Sequence, residues 1–468
     1  VTTGPPRTAS AVTADIYGGR MPSHAGDFAV ETHGIAPVPV GNRYGTAGRL
    51  FTVWFAPQIN LTVVFSGTLA IALGLGFWLG LLAMVIGTVI GAFAVGYLST
   101  WGPRTGTAQL PNARMAFGQT VAVVAVIQWL SAIAWGSLAG LFGGDALAEL
   151  LGIPFWAGVL IVLAAQGIIG VFGYELIHRV QAVMTVVLTV IFTVFAVKLA
   201  GGHEFVSAPT AAGADLAGAF MLEVAIALSL SISWASYASD YSRYLPADIS
   251  RTAVFSYTFA GLTTAYVAVQ AIGIAAAGVL TDQTVLGMSS VMGGGVLGAL
   301  TLVVIGLGTA TSNALNDYSG SLALQTVGLR IRRPVSAVLV VVLTFTLIMW
   351  LHSGDLARRF EGVLLFVSYW VPAFVAIVVI DWRRRSAGRN VINPAEETTS
   401  GADAWAALVV FAVAFAAAVP FMHNNLIDGV VAVRLHGADL AYFVNFAVAA
   451  VLYCGYHRTQ RRRATAPL

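Results

Sequence analysis

The chain has 468 residues, 58% of them hydrophobic and 10% charged, which excludes a water-soluble core of ordinary proportions. Its formal net charge of +3 comes from dispersed arginines suited to anionic lipid headgroups and gives no argument for nucleic-acid binding. The one cysteine, Cys454, rules out an internal disulfide and a cysteine-rich metal or iron–sulfur site.

Residues 1–48, with Gly4-Pro5-Pro6, Pro22, Pro37 and Pro39 and no periodic apolar face, read as a disordered cytoplasmic tail rather than a cleaved signal. Beyond them the apolar runs predict twelve membrane helices, at 50–73, 77–99, 118–142, 153–173, 177–200, 215–242, 252–280, 293–326, 334–351, 360–381, 403–423 and 437–457. Twelve crossings put both termini on one side. If that side is the cytoplasm, twenty of the 24 basic residues lie inside, and only Lys198, Arg358, Arg359 and Arg434 lie outside. That asymmetry obeys the positive-inside rule and fixes the orientation expected in a plasma (inner) membrane. The chain then divides into a first five-helix repeat (49–200), a second of opposite orientation (201–382), a polar cytoplasmic linker (383–402), two additional helices (403–457) and a basic tail (458–468).

Several predicted helices carry groups that lipid would penalise, and such groups are tolerated only where protein or a water-filled cavity satisfies them. In the first, Phe55-Ala56-Pro57-Gln58-Ile59-Asn60 sets a proline directly before two amides and predicts either a kink or a break that bares carbonyls. In the third, Gln128, Ser131 and Trp135 recur at helical spacing on one face. Trp101, Trp156, Trp350 and Trp382 lie near helix ends and read as interfacial anchors. The sixth is crowded by polar and aromatic residues from Ser229 to Asp240. This run is either a hinge of serines bonded back to their own carbonyls or a second break. Helices one and six are corresponding members of the two halves, and paired interruptions in inverted repeats mark a midplane binding site.

Glu223, in the outer half of the sixth helix, is a carboxyl placed to carry a proton, and Asp317 is a second such group. Asp240 and Arg243 form an expected ion pair at the inner end of the same helix. The eighth helix ends in Thr309-Ala310-Thr311-Ser312-Asn313-Ala314-Leu315-Asn316-Asp317, where hydroxyls suit a hard monovalent cation and amides suit a polar heterocycle; bonds between helices would also explain part of the run. No phosphate-binding loop or HExxH motif occurs, so neither a primary pump nor a soluble type of enzyme is expected.

Three motifs carry a resemblance. Trp54-Phe55-Ala56-Pro57-Gln58-Ile59-Asn60, Gly102-Pro103-Arg104-Thr105-Gly106 with Arg114-Met115-Ala116-Phe117-Gly118, and the run from Trp234 to Pro246 together resemble the purine–cytosine permease branch of the nucleobase–cation symporter family. The resemblance implies an all-α membrane protein of LeuT-like fold, five plus five inverted helices and two more, that imports a nucleobase with Na+ or H+ and needs no cofactor. It implies a planar substrate held between Trp135 and Trp234, with its edge read by Ser233, Gln58, Asn313 and Asn316; Gln128, on the face of Trp135, is a further substrate-binding candidate. It implies a cation between Ala56, Ile59, Thr311 and Ser312. Ala139 stands where many relatives place an amide, a departure that bears on substrate choice. The alternatives are an amino-acid or amine transporter on the same architecture and, from another class, a passive channel.

Overall fold

Each predicted span coincides with helix in the computed structural model, which describes residues 34–172, 174–202, 205–280, 284–328, 333–386, 394, 396–399 and 401–465. In chain order the helices are α1 (Arg49–Phe55), α2 (Leu61–Ala72), α3 (Gly76–Ser99), α4 (Gly102–Thr105), α5 (Gln109–Phe117), α6 (Val121–Leu151), α7 (Phe155–Phe172), α8 (Tyr174–Gly202) and α9 (Gly213–Ile232). They continue with α10 (Arg251–Ala276), α11 (Thr284–Val291), α12 (Gly295–Val327), α13 (Arg333–His352), α14 (Leu356–Phe366), α15 (Val371–Arg385), α16 (Ala402–Ala418), α17 (Val430–Arg434) and α18 (Ala441–Thr465). Two short strands, β1 (His423–Asn424) and β2 (Ile427–Asp428), form an antiparallel hairpin between α16 and α17.

Among the described residues eight helical stretches are long and apolar enough to cross a membrane, nine if the bent pair Arg49–Gln58 and Leu61–Ala72 is one span. The fourth and ninth predicted spans are present as shorter apolar helices, Phe155–Ile169 and Val338–His352. The twelfth lies in α18, whose last turns carry Arg458, Arg461, Arg462 and Arg463.

The helices pack as two groups. In one, α9 and α10 lie on α3, and α10 also lies on α2; in the other, α12 lies against α6, α7 and α8. Glycine sets the spacing in the first group. A Cβ on Gly273 would meet the Val64 carbonyl oxygen at 2.1 Å, and one on Gly67 would meet the Gln270 carbonyl oxygen at 2.4 Å. The α2 and α10 backbones therefore touch directly, a contact that any larger side chain would prise apart.

The interruptions in the first and sixth spans differ. Pro57 cannot donate a backbone hydrogen bond, so α1 tightens into a 3-10 turn at Ala56–Gln58, Ile59 leaves helical geometry (φ −84°, ψ 79°), and α2 starts again at an angle of 58°. In the sixth span, α9 ends at Ile232 and passes without a gap into a 3-10 turn, Ser233–Tyr237. The chain then runs through turns to the loop before α10. The second break expected here is not found: Gly213–Tyr237 is one continuous span, and the serine run ends it rather than splitting it. Ser231 and Ser233 bond back to the carbonyls of Ala227 (3.1 Å) and Leu230 (3.0 Å), while the α-helix itself stops.

Of the tail expected over 1–48, residues 1–33 lie outside the described residues, and 34–48 are packed on the bundle. The Val38 amide donates to the Gly106 carbonyl (2.8 Å), and the fully buried Arg243 donates to the Gly34 carbonyl (2.6 Å) and to the Tyr318 hydroxyl (2.9 Å). A single guanidinium thus ties the segment before α1, the turn after α9 and helix α12. Asp240 takes the backbone N–H of Gln109 (2.8 Å). Trp101 and Trp382, expected as interfacial anchors, are instead buried and stacked on each other at 4.3 Å, with the Arg104 guanidinium over Trp382. Trp156 and Trp350 are exposed, as anchors are.

Candidate functional site

The broken end of α1 and the end of α9 meet α6 and α12 around a partly open cavity of about 30 Å³. Trp135 and Ala139 line it from α6, Ser312, Asn313 and Asn316 from α12, Gln58 and Asn60 from the break, and Ser233, Trp234 and Tyr237 from the end of α9. At roughly 10–15 Å³ of such volume per water, the chamber holds about two waters. A planar heterocycle enters it only if the two helix groups part.

Trp234 is a fixed plate. Its indole N–H donates to the Tyr266 hydroxyl (2.8 Å), which donates to the Leu230 carbonyl (2.9 Å), and Trp54 packs against it nearly edge-on at 5.6 Å. Trp135 is only partly buried, and its indole N–H has no partner among the described residues. The amide nitrogen of Gln58, a residue 2% exposed, is likewise unpartnered. Each unmade buried bond costs about 1–3 kcal/mol, so a ligand with acceptors at its edge gains by supplying two of them.

Backbone chemistry explains why the break is stable. Asn60 caps α2, accepting the Val63 amide (3.0 Å) while its own amide donates to the Pro57 carbonyl (2.6 Å). Ser312 donates to that same carbonyl (3.0 Å). A carbonyl released from helical bonding thereby gains two side-chain donors, one of them from the opposite helix group.

The other residues expected at a site fall in several places. Gln128 is buried beside the Tyr237 ring but does not line the cavity. Ala56 and Ile59 are buried at the break, with the Ile59 amide donating to the Ala56 carbonyl (3.1 Å). The Thr311 hydroxyl turns back to Gly308 (3.0 Å), and its carbonyl accepts from Gln181 (3.0 Å). Glu223 lies away from the cavity; it is fully buried, neither of its oxygens finds a hydrogen-bond partner among the described residues, and Glu361 is its charged neighbour. Asp317 accepts from Gln166 (3.2 Å).

Sequence reasoning assigned no role to Asn60, Tyr237, Tyr266 or Gln166. Asn60 was open to discovery, since an asparagine just after a proline break and just before an apolar helix is a cap signal. Tyr266 and Gln166 come from helices without any local polar cluster, and only packing brings them to the site.

A permease family described as "Permease for cytosine/purines, uracil, thiamine, allantoin" matches residues 37–445, and the chain belongs to it. The chain is similar to YxlA of Bacillus subtilis, at 25% identity over 91% of this chain and 95% of that one. It is also similar to the purine-cytosine permease fcyB of Emericella nidulans, at 24% identity over 92% of this chain and 88% of that one. Among solved structures, Mhp1, a nucleobase-cation-symport-1 family transporter with bromovinylhydantoin bound, superposes with a TM-score of 0.72 at 17% identity, covering 92% of this chain and 96% of that one. The fold is shared with Mhp1. This is a multi-pass membrane transporter of the nucleobase–cation symporter family and not an enzyme.

Proposed function

We propose that the protein imports a nucleobase, cytosine or a purine, stacked between Trp135 and Trp234 with its edge read by Gln58, Asn60, Ser233, Asn313 and Asn316. The observation that carries this reading is the cavity between the two helix groups, which has an indole from each group, amides at its rim and an unmet donor on Gln58. Alternating access then consists of the α2/α3/α9/α10 group moving against the α6/α7/α8/α12 group. The full arrangement is twelve crossings, five plus five inverted and two more, in the plasma membrane with both termini cytoplasmic.

Two cation assignments rest on different residues. A sodium ion would sit at the break, among Ala56, Ile59, Thr311 and Ser312; a proton would sit on Asp317 or Glu223. The proton on Asp317 has the stronger support, since this carboxylate connects by hydrogen bonds through Gln166 to Asn313 at the cavity.

Purified protein in liposomes tests the whole reading. Accumulation of labelled cytosine or adenine against its gradient, driven by an inward proton gradient in sodium-free buffer, is the expected result. Accumulation only with sodium moves the cation to the break. Competition by amino acids rather than nucleobases, or equilibration without accumulation, overturns the reading.

A further inference from the structure

Three side chains behind the cavity form a chain of hydrogen bonds with a direction. The Asn313 amide nitrogen donates both its hydrogens, one to the carbonyl of Gly136, next to Trp135, and one to the side-chain oxygen of Gln166, each at 2.9 Å. The Gln166 amide nitrogen donates to the Asp317 carboxylate, 3.2 Å from one oxygen and 3.4 Å from the other. An ionised carboxylate only accepts. Gln166 must therefore turn its nitrogen to Asp317 and its oxygen to Asn313, and Asn313 must answer with nitrogen. That leaves the Asn313 oxygen toward Asn316, whose amide lies 3.4 Å away, at the cavity wall.

We propose that Gln166 is a positioning residue that carries the protonation state of Asp317 to Asn313, and so decides whether α12 offers the substrate edge an acceptor or a donor. The inference rests on the heterocycle reading above and on the proton assignment within it. When a proton from water bonds to an Asp317 oxygen, the neutral carboxyl keeps one accepting oxygen and gains an O–H that needs an acceptor; Gln166 is the side chain hydrogen-bonded to Asp317 among the described residues, and its amide reverses to offer that acceptor. Its nitrogen then faces the Asn313 nitrogen, donor against donor. Asn313 relieves the clash by turning its oxygen to Gln166 and its nitrogen toward Asn316, which releases Gly136 and obliges Asn316 to present its oxygen to Asn313 and its nitrogen to the cavity. One protonation thus recodes the ring-edge contact and loosens α12 from α6 beside Trp135. Gln166 is 3% exposed, so no bulk water competes for its amide.

Among the described residues Gln166 is the side chain that hydrogen-bonds Asp317. Among the described residues Asp317 makes no ion pair. On α12 itself, Tyr318 accepts from Arg243. From the turn after α9, the Tyr241 hydroxyl donates to the Leu315 carbonyl (2.9 Å) and lies 3.1 Å from the Ser319 hydroxyl. From α5, Arg114 donates to the Thr326 carbonyl (3.2 Å). Among the described side chains, helix α8 contributes His178, Arg179 and Lys198, α6 contributes Asp145 and Glu149 near its far end, and α7 and α11 contribute none.

Two measurements on the full-length protein test the relay. In the first, cytosine and adenine affinities are followed against pH. The wild type is expected to show a Kd that changes up to tenfold per pH unit over a limited range, as one linked proton requires, while Asp317→Asn and Gln166→Met each bind with one affinity throughout. A Gln166→Met protein that keeps the wild-type pH profile overturns the proposal. The second measurement needs no ligand. Infrared difference spectra between acid and alkaline buffer, with isotope-labelled asparagine, should show the Asp317 carboxyl band together with an asparagine amide band; Gln166→Met should keep the first and lose the second. An asparagine band that persists in Gln166→Met, or is missing from the wild type, also overturns it. A coupled infrared signal in a protein that binds no heterocycle removes the transport reading and leaves the relay standing.

Discussion

At the scale of single residues, the site depends on a few side chains whose surroundings leave them one role. Base stacking on an aromatic is worth about 1–3 kcal/mol, so Trp234→Ala and Trp135→Ala are each expected to weaken nucleobase binding by roughly tenfold to a hundredfold and to abolish saturable uptake while the protein stays folded. Isothermal titration and uptake by the two variants check this, and unchanged uptake in both removes the stacking arrangement. Tyr266→Phe deletes the bond that orients Trp234 at a cost of about 1 kcal/mol, a smaller loss of affinity in the same assay. Ser312→Ala removes a donor from the Pro57 carbonyl; uptake is expected to fall, and if dependence on sodium falls with it, the break holds that ion. Much of this constellation was readable beforehand because polar groups in an apolar run are expensive and announce themselves. That cost marked the runs, and the family resemblance picked out Trp135, Trp234, Ser233, Gln58, Asn313 and Asn316 within them, all of which line the cavity. Gln128 carried the same signal and lies off the cavity, since helical spacing places a residue on a face but says nothing of how far along the axis the chamber extends.

At the scale of elements, the question is how an interrupted helix remains ordered. Asn60 supplies a cap for α2 and a donor for Pro57 together, so Asn60→Ala is expected to cost about 1 kcal/mol or more and lower the thermal midpoint of purified protein in detergent. Packing imposes a harsher limit at the α2/α10 contact, where Gly273→Leu would drive its Cβ into the Val64 carbonyl. Such overpacking costs roughly 1–3 kcal/mol, and the same thermal assay should show a larger loss than for Asn60→Ala; an unchanged midpoint would mean that the two helices are free to separate. The break at Pro57 was legible because proline has only one physical consequence inside a helix. The end of α9 was not, because serines that bend a helix and serines that end it use the same back-bonds.

At the scale of the whole molecule, the helix groups are fastened to each other by Ser312 on Pro57, Tyr241 on Leu315 and Arg243 on Tyr318. Arg243 joins the segment before α1, the turn after α9 and α12 through the Tyr318 hydroxyl. Tyr318→Phe is expected to shift the population toward the state open on that side, read as faster labelling of a cysteine introduced next to the Arg243 turn in a protein lacking Cys454; unaltered labelling would relieve Arg243 of any part in closure. The twelve apolar runs and their arginine asymmetry were plain from composition, whereas the inward folding of residues 34–48 was not, since a proline-rich stretch has no periodic face and its docking rests on backbone bonds such as Val38 to Gly106. This docking has a practical side. A reporter or affinity tag fused ahead of Gly34 is leashed to a part that must shift during each cycle, so it will perturb turnover, while the same cargo hung behind Thr465 trails from the end of α18 and leaves the machinery alone.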